Sequence, residues 1–153
     1  MIFSLAACSN TASANEWAAK VNDVEISYYD YEKNLEIIKK QIEATVGADI
    51  WTQDSGQGKT YNEILKDQVL EKLIEDQLIL AEAKKENITV DADEFEKEFT
   101  QFKEQVKSLP DYETFLKEEG ITDEFLKKQL ETDTIVFEYK EKFMEKNTPS
   151  EED

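Results

Sequence analysis

Histidine is absent from this 153-residue chain, which removes the commonest general base and the usual partner of a nucleophilic serine or cysteine. Cysteine occurs once, as Cys8, so neither an internal disulfide framework nor a multi-cysteine metal site can form. Basic residues are scarce: 18 Lys and Arg face 36 Asp and Glu, and the formal charge of -18 repels phosphate backbones and argues against nucleic acid as a partner. Four glycines and two prolines leave few helix breakers, and with 35% charged residues they point to exposed helices. The many carboxylates do not form a calcium loop, because Asp91-Ala92-Asp93-Glu94 lacks the glycine and the later ligands; its simpler role is to cap a helix. No cofactor or metal is expected. An enzyme here would need a site built from carboxylates alone, and none is expected.

What the chain does have is 39% hydrophobic and 10% aromatic residues, enough for one ordinary domain with its own core. The N-terminus, Met1-Ile2-Phe3-Ser4-Leu5-Ala6-Ala7-Cys8, is an apolar run ending in small residues, like the end of an export signal. Leu5-Ala6-Ala7-Cys8 resembles a bacterial lipobox, and that resemblance implies cleavage before Cys8 and attachment of a membrane-tethering lipid to its thiol. No Lys or Arg precedes the run; a start codon placed too late would account for that. The plainer alternative is a frayed terminus with an incidental thiol. Ser9 to Asn15 has the composition of a flexible tether, and no other segment is a candidate membrane span. The expected organisation is residues 1–16 as signal remnant, lipobox and tether, 17–146 as a helical domain, and 147–153 as a polar acidic tail.

Within the domain, Trp17 to Val21 and Val24 to Ile26 flank Asn22-Asp23 and predict a short β-hairpin. Ser27 with Asp30 three residues on starts a helix whose apolar stripe runs Tyr28, Tyr31, Leu35, Ile38, Ile42 and Val46, with Gly47 ending it. Residues 48–59 read as a polar loop from which only Ile50 and Trp51 dock on a core. Gly58-Lys59-Thr60 looks like part of a phosphate loop, but Gln53 stands where a glycine is needed and no strand leads in, so Thr60-Tyr61-Asn62-Glu63 reads instead as a capping box. The helix it starts is apolar around much of its circumference up to Ala83 and should be central. Asn87 caps it, and Asp91 opens a third helix with Phe95, Phe99, Phe102 and Val106 on one face. After Leu109-Pro110-Asp111 a short helix carries Tyr112, Phe115 and Leu116, and Gly120-Ile121 reads as its Schellman stop. Thr122 or Asp123 caps a last helix that continues through Phe137, Tyr139, Phe143 and Met144. The expected fold is mainly α, about five helices around a long central one, with a short N-terminal hairpin.

Val21-Asn22-Asp23-Val24-Glu25-Ile26-Ser27, the run from Val69 to Val90, and the pair Phe115-Leu116-Lys117-Glu118-Glu119-Gly120-Ile121-Thr122 and Phe125-Leu126-Lys127-Lys128-Gln129-Leu130 resemble, in order and spacing, the N-terminal domain of SurA/PrsA-type foldases. The resemblance covers roughly residues 17 to 146. It implies a bacterial, extracytoplasmic, ATP-independent chaperone that holds unfolded or partly folded secreted proteins, anchored to the membrane through a lipid on Cys8. Longer relatives carry a parvulin-type prolyl isomerase domain and a returning C-terminal helix, neither of which is expected in this chain, so isomerase activity does not carry over. Without that helix an apolar face should be left uncovered, to bind clients or to pair two chains. The candidate client-binding residues are Phe95, Phe99, Phe102, Phe137, Tyr139, Phe143 and Met144; the alternative for each is ordinary core packing. The alternative for the whole protein is a helical adaptor or scaffold lipoprotein that binds one folded partner.

Overall fold

A computed structural model describes residues 17–147. Cys8, the tether after it and residues 148–153 lie outside the described residues, whereas Asn147, expected in the tail, is the last residue of the final helix. The hairpin pairs β1 (Trp17–Val21) with β2 (Val24–Ser27), Val21 opposite Val24 and Ala19 opposite Ile26. Asn22 turns it at φ 54°, a left-handed conformation that asparagine tolerates better than most residues. Pleating puts Ala19, Val21 and Ile26 on one face, toward the helices, while Lys20 and Glu25 pair on the other.

The Ser27 hydroxyl accepts the Asp30 N–H and starts α1 (Tyr28–Val46). Of its expected stripe, Tyr31, Leu35, Ile38 and Ile42 reach the core, and Tyr28 and Val46 at the two ends are exposed. Residues 48–59 are more structured than a plain polar loop. A 3-10 turn at Ala48–Thr52 seats Trp51 on the core with its indole N–H donated to Glu43, and Asp54 then bridges to Thr60.

Thr60 and Glu63 form the reciprocal capping box that opens α2 (Tyr61–Lys85), and Lys59 pairs with Asp67 of the same helix. The C-terminus of α2 is a Schellman motif: Asn87 at φ 57° donates to Lys84 O and Ile88 donates to Ala83 O at 2.9 Å, which buries Ile88. Asp91 caps α3 (Ala92–Lys107) through the N–H groups of Asp93 and Glu94. Pro110 takes the first position of α4 (Pro110–Glu118), where its missing N–H has no partner to lose. A second Schellman motif follows, with Gly120 at φ 63° and Ile121 donating to Leu116 O. The Thr122 hydroxyl then accepts the Phe125 N–H at the start of α5 (Asp123–Asn147).

The architecture is the expected five helices and hairpin, with two apolar clusters. The first joins the hairpin, α1 and α2 through Val21, Ile26, Leu35, Leu65, Val69 and Leu73. The second joins α3, α4 and α5 through Phe99, Phe115, Leu116, Ile121, Phe125 and Leu126. Between them run α1, which sends Ile37 to the second cluster, and the 25-residue α2 and α5, which pack on each other. The Tyr29 hydroxyl donates to Gly120 O, and its ring meets Phe125 edge-on at 5.9 Å. Thus α2, packed on the hairpin, α1 and α5, is the long central helix, and the second cluster forms beside it.

Candidate functional site

The seven apolar residues singled out in the sequence divide by position. Phe95 and Phe99 are buried, at 5% and 8% exposure, with the Lys127 ammonium over both rings; in this conformation they belong to the packed interior. Phe102 is half-buried and stacks on Phe99. By contrast Phe137, Phe143 and Met144 are 62%, 55% and 59% exposed, and half-buried Tyr139 stacks on Phe143 at 6.3 Å.

At about 100° per residue, Phe125, Val136, Tyr139 and Phe143 of α5 fall on one stripe. Its first members are buried and its last is open, so the core-facing side of α5 outruns its cover. Phe137 and Met144, seven apart, share a second stripe on another side of the helix. Three lysine bridges, Lys72–Asp133, Lys140–Glu75 and Lys146–Glu86, climb α2 and α5 in the same order and hold them side by side. The hydrogen bond and charge of Lys140 hold the Glu75 carboxyl below its ordinary value. Leu78, one turn beyond Glu75 on α2, is a further exposed apolar residue, at 47%. Leu78 was missed by the sequence reading as one apolar residue among many on α2. Glu71, Glu75, Glu82 and Lys85 lie on one side of it and Ile74 and Ala81 on the other, so it sits at the edge of the apolar stripe, and that was the available signal.

The second feature is a groove of about 220 Å3 where α3, α4 and the start of α5 meet. Phe102, Val106, Leu116, Ile121 and Leu126 form its floor. Lys103, Lys107 and Lys117 stand on its rim, paired with Asp123, Glu104 and Glu113 in turn. The hydrogen bond and charge of Glu104 raise the Lys107 pKa, and Lys107 lowers that of Glu104. An apolar floor with a polar, exchangeable rim suits the side chains of an extended polypeptide. Neither surface contains a positioned nucleophile and base, and no group of three or more Asp, Glu or Cys among the described residues is placed to hold a metal ion. No helix among the described residues is long and apolar enough to cross a membrane.

Comparison with known proteins gives two matches. A family model described as the SurA-like N-terminal domain matches residues 1–139. A foldase protein PrsA from Caldanaerobacter subterraneus subsp. tengcongensis is 36% identical over 156 residues, covering 92% of this chain and 49% of that protein. The chain therefore spans about half the length of this curated relative. No solved structure matches.

Proposed function

The chain belongs to the SurA-like N-terminal domain family, and from that premise we propose that it is an extracytoplasmic chaperone domain that holds unfolded or partly folded secreted polypeptides without ATP. The observation that carries this reading is the uncovered apolar end of α5, where Phe137, Phe143 and Met144 stand exposed. The groove floored by Phe102, Val106 and Leu116 offers a second purchase for the same client. Burying one such side chain fully contributes ~1.5–3 kcal/mol, and ordering the client offsets much of it, so two or three contacts give a weak, reversible grip. Release then needs no nucleotide. In this reading no catalytic step belongs to the domain; the foldase it resembles is about twice as long. A lipid on Cys8 would keep the domain at the membrane surface, where exported chains emerge. An unmodified Cys8 thiol in mass spectra of natively expressed protein would refute the anchor.

The decisive experiment dilutes a chemically denatured, unrelated protein into buffer with and without this chain, without ATP, and follows light scattering. Suppression in proportion to added chain is expected for several unrelated clients, and F137S/F143S should lose most of it while keeping the wild-type circular dichroism. Equal suppression by that variant removes α5 from the reading. A folded wild-type chain that suppresses nothing, yet binds one native protein, is an adaptor instead.

A further inference from the structure

A groove of about 370 Å3, separate from both holding surfaces, lies where the end of α1, residues 48–59 and the start of α2 meet. Pockets that take organic ligands run to ~300–1,000 Å3, so its size is suitable. Ile42, Ile50, Trp51, Ile64 and Leu65 form an apolar floor, and Ile42, Trp51 and Leu65 also belong to the first cluster, which makes that floor continuous with the core. Hydrogen bonds close the wall: Glu43 accepts the Trp51 indole N–H, the Ser55 hydroxyl donates to Lys59 O at 2.7 Å, and Asp54 bridges to Thr60. Ser55, Gln57, Tyr61 and Gln68 complete the lining. Among the described residues, the Gln57 and Gln68 amides and the Tyr61 hydroxyl are engaged in no hydrogen bond, and all three side chains are open to a ligand.

The lining contains no charged side chain, in a chain that is 35% charged. By contrast, five charged side chains line the groove at α3, α4 and α5, and seven line the cleft between α1 and α4. The charges nearest this groove stand outside it and are engaged: Lys39 lies 5.4 Å over the Trp51 ring, Glu43 holds the indole, and Lys59 pairs with Asp67. An anion or a cation set on the floor would lose water and meet no counter-charge, whereas an apolar side chain gains by the burial. The three open polar groups can each donate and accept. A polypeptide backbone offers the complement, one N–H and one C=O per residue, and a bare hydrocarbon chain offers none.

We propose that this groove binds an uncharged, extended stretch of polypeptide, with one apolar side chain on the floor and backbone groups bonded to Gln57, Tyr61 and Gln68. Assigning that stretch to an unfolded client rests on the holding reading; the existence of the peptide site does not. The groove then adds a selectivity that the lysine-rimmed groove lacks, favouring stretches free of Asp, Glu and Lys at the anchoring position.

The test uses the whole chain, labelled with nitrogen-15, and the capped peptide acetyl-Ser-Gln-Leu-Gln-Ser-amide, read by amide chemical shifts. Saturable shifts at Ile42, Trp51, Tyr61 and Ile64 are expected, with the same affinity in low and high salt because no charge takes part. Replacing the peptide leucine by glutamate or by lysine should weaken binding about tenfold or more in both cases. General attraction to a chain of charge -18 would instead make the lysine peptide the tightest, and that order would overturn the site. No saturable shift, or shifts centred elsewhere, would overturn it too. Gln68 is exposed, so Q68E should keep the fold while narrowing the gap between the leucine and lysine peptides; an unchanged gap would remove Gln68 from the site. The peptide comparison uses the native chain and stands whatever that variant does. Peptide bound in the groove by a chain that suppresses no aggregation would count against the holding reading alone, and suppression without peptide shifts would overturn the groove and leave that reading in place.

Discussion

Asp76 and Lys72 show how one residue can matter while resembling dozens of others. The Asp76 carboxylate is buried, and Lys72, one turn earlier on α2, donates to it while also reaching Asp133 at 3.3 Å. Burial alone would lower the Lys72 pKa, but the hydrogen bonds and charges of Asp76 and Asp133 outweigh it and raise the value above 10.5. A raised folded-state pKa contributes stability that is complete below the unfolded value and lost as pH rises through the folded one. Burial raises Tyr31 and Tyr112 above 10.0, with the same sign. Urea midpoints should therefore hold up to about pH 9 and fall above about pH 10. K72M should cost ~1–3 kcal/mol at neutral pH, since a buried carboxylate loses its charged donor, and should shallow the alkaline limb. A neutral K72M with an unchanged limb would show the bridge contributes nothing. Phe99 and Phe143 make a second contrast: F99S should cost ~3–5 kcal/mol in urea melts, and F143S should stay within ~0.5 kcal/mol.

At the scale of elements, the two Schellman motifs are the joints of the fold. Each ends a helix with a left-handed residue and buries the isoleucine after it, Ile88 beyond α2 and Ile121 beyond α4. The left-handed residue is asparagine in one and glycine in the other, which separates shape from space. A Cβ added at Gly120 would meet nothing within 4 Å, so the cost of G120A is conformational, ~1–2 kcal/mol. N87G should be neutral within a few tenths or slightly stabilising, because the position is already left-handed. Thermal melts of the two variants check both signs; a large loss in N87G would mean that the asparagine side chain, rather than the backbone, holds the joint.

Over the whole molecule, the lysines of α5 act as ties. Lys127 pairs with Glu96 of α3, Lys128 with Asp30 of α1, and Lys140 and Lys146 with Glu75 and Glu86 at the end of α2. Exposed pairs of this kind contribute only ~0–1 kcal/mol each. The 18 carboxylates in excess repel one another over longer distances, where salt acts most. Taking ionic strength from about 0.01 to 0.15 M shortens the Debye length from ~30 to ~8 Å, and the melting temperature should rise by roughly 2–4 °C, the equivalent of ~1 kcal/mol. A fall instead would mean that the ties outweigh the repulsion.

The hairpin, the five helices and most of their caps were legible in the amino-acid order, because each is decided within a few residues. Asn22-Asp23 makes its own turn, Thr60 reaches only to Glu63, and Gly120 closes on Leu116 and Lys117. The family resemblance was legible for the same reason, as helix chemistry in a fixed order. Coverage was not. Phe99 and Phe143 both sit among Glu and Lys at helical spacing, yet one is packed against α4 and α5 and the other stands exposed near the end of α5. Asp76 falls on the Leu65, Val69, Leu73 and Ala83 stripe, so its burial follows from the period of α2, but which neighbours cover it follows only from the packed fold. Local hydrogen bonds and side-chain periods are set by residues three or four apart. Which stripe is covered, and which carboxylate loses water, depends on contacts between residues far apart in the chain, such as Lys128 with Asp30 or Tyr29 with Gly120, and those exist only once the chain has folded.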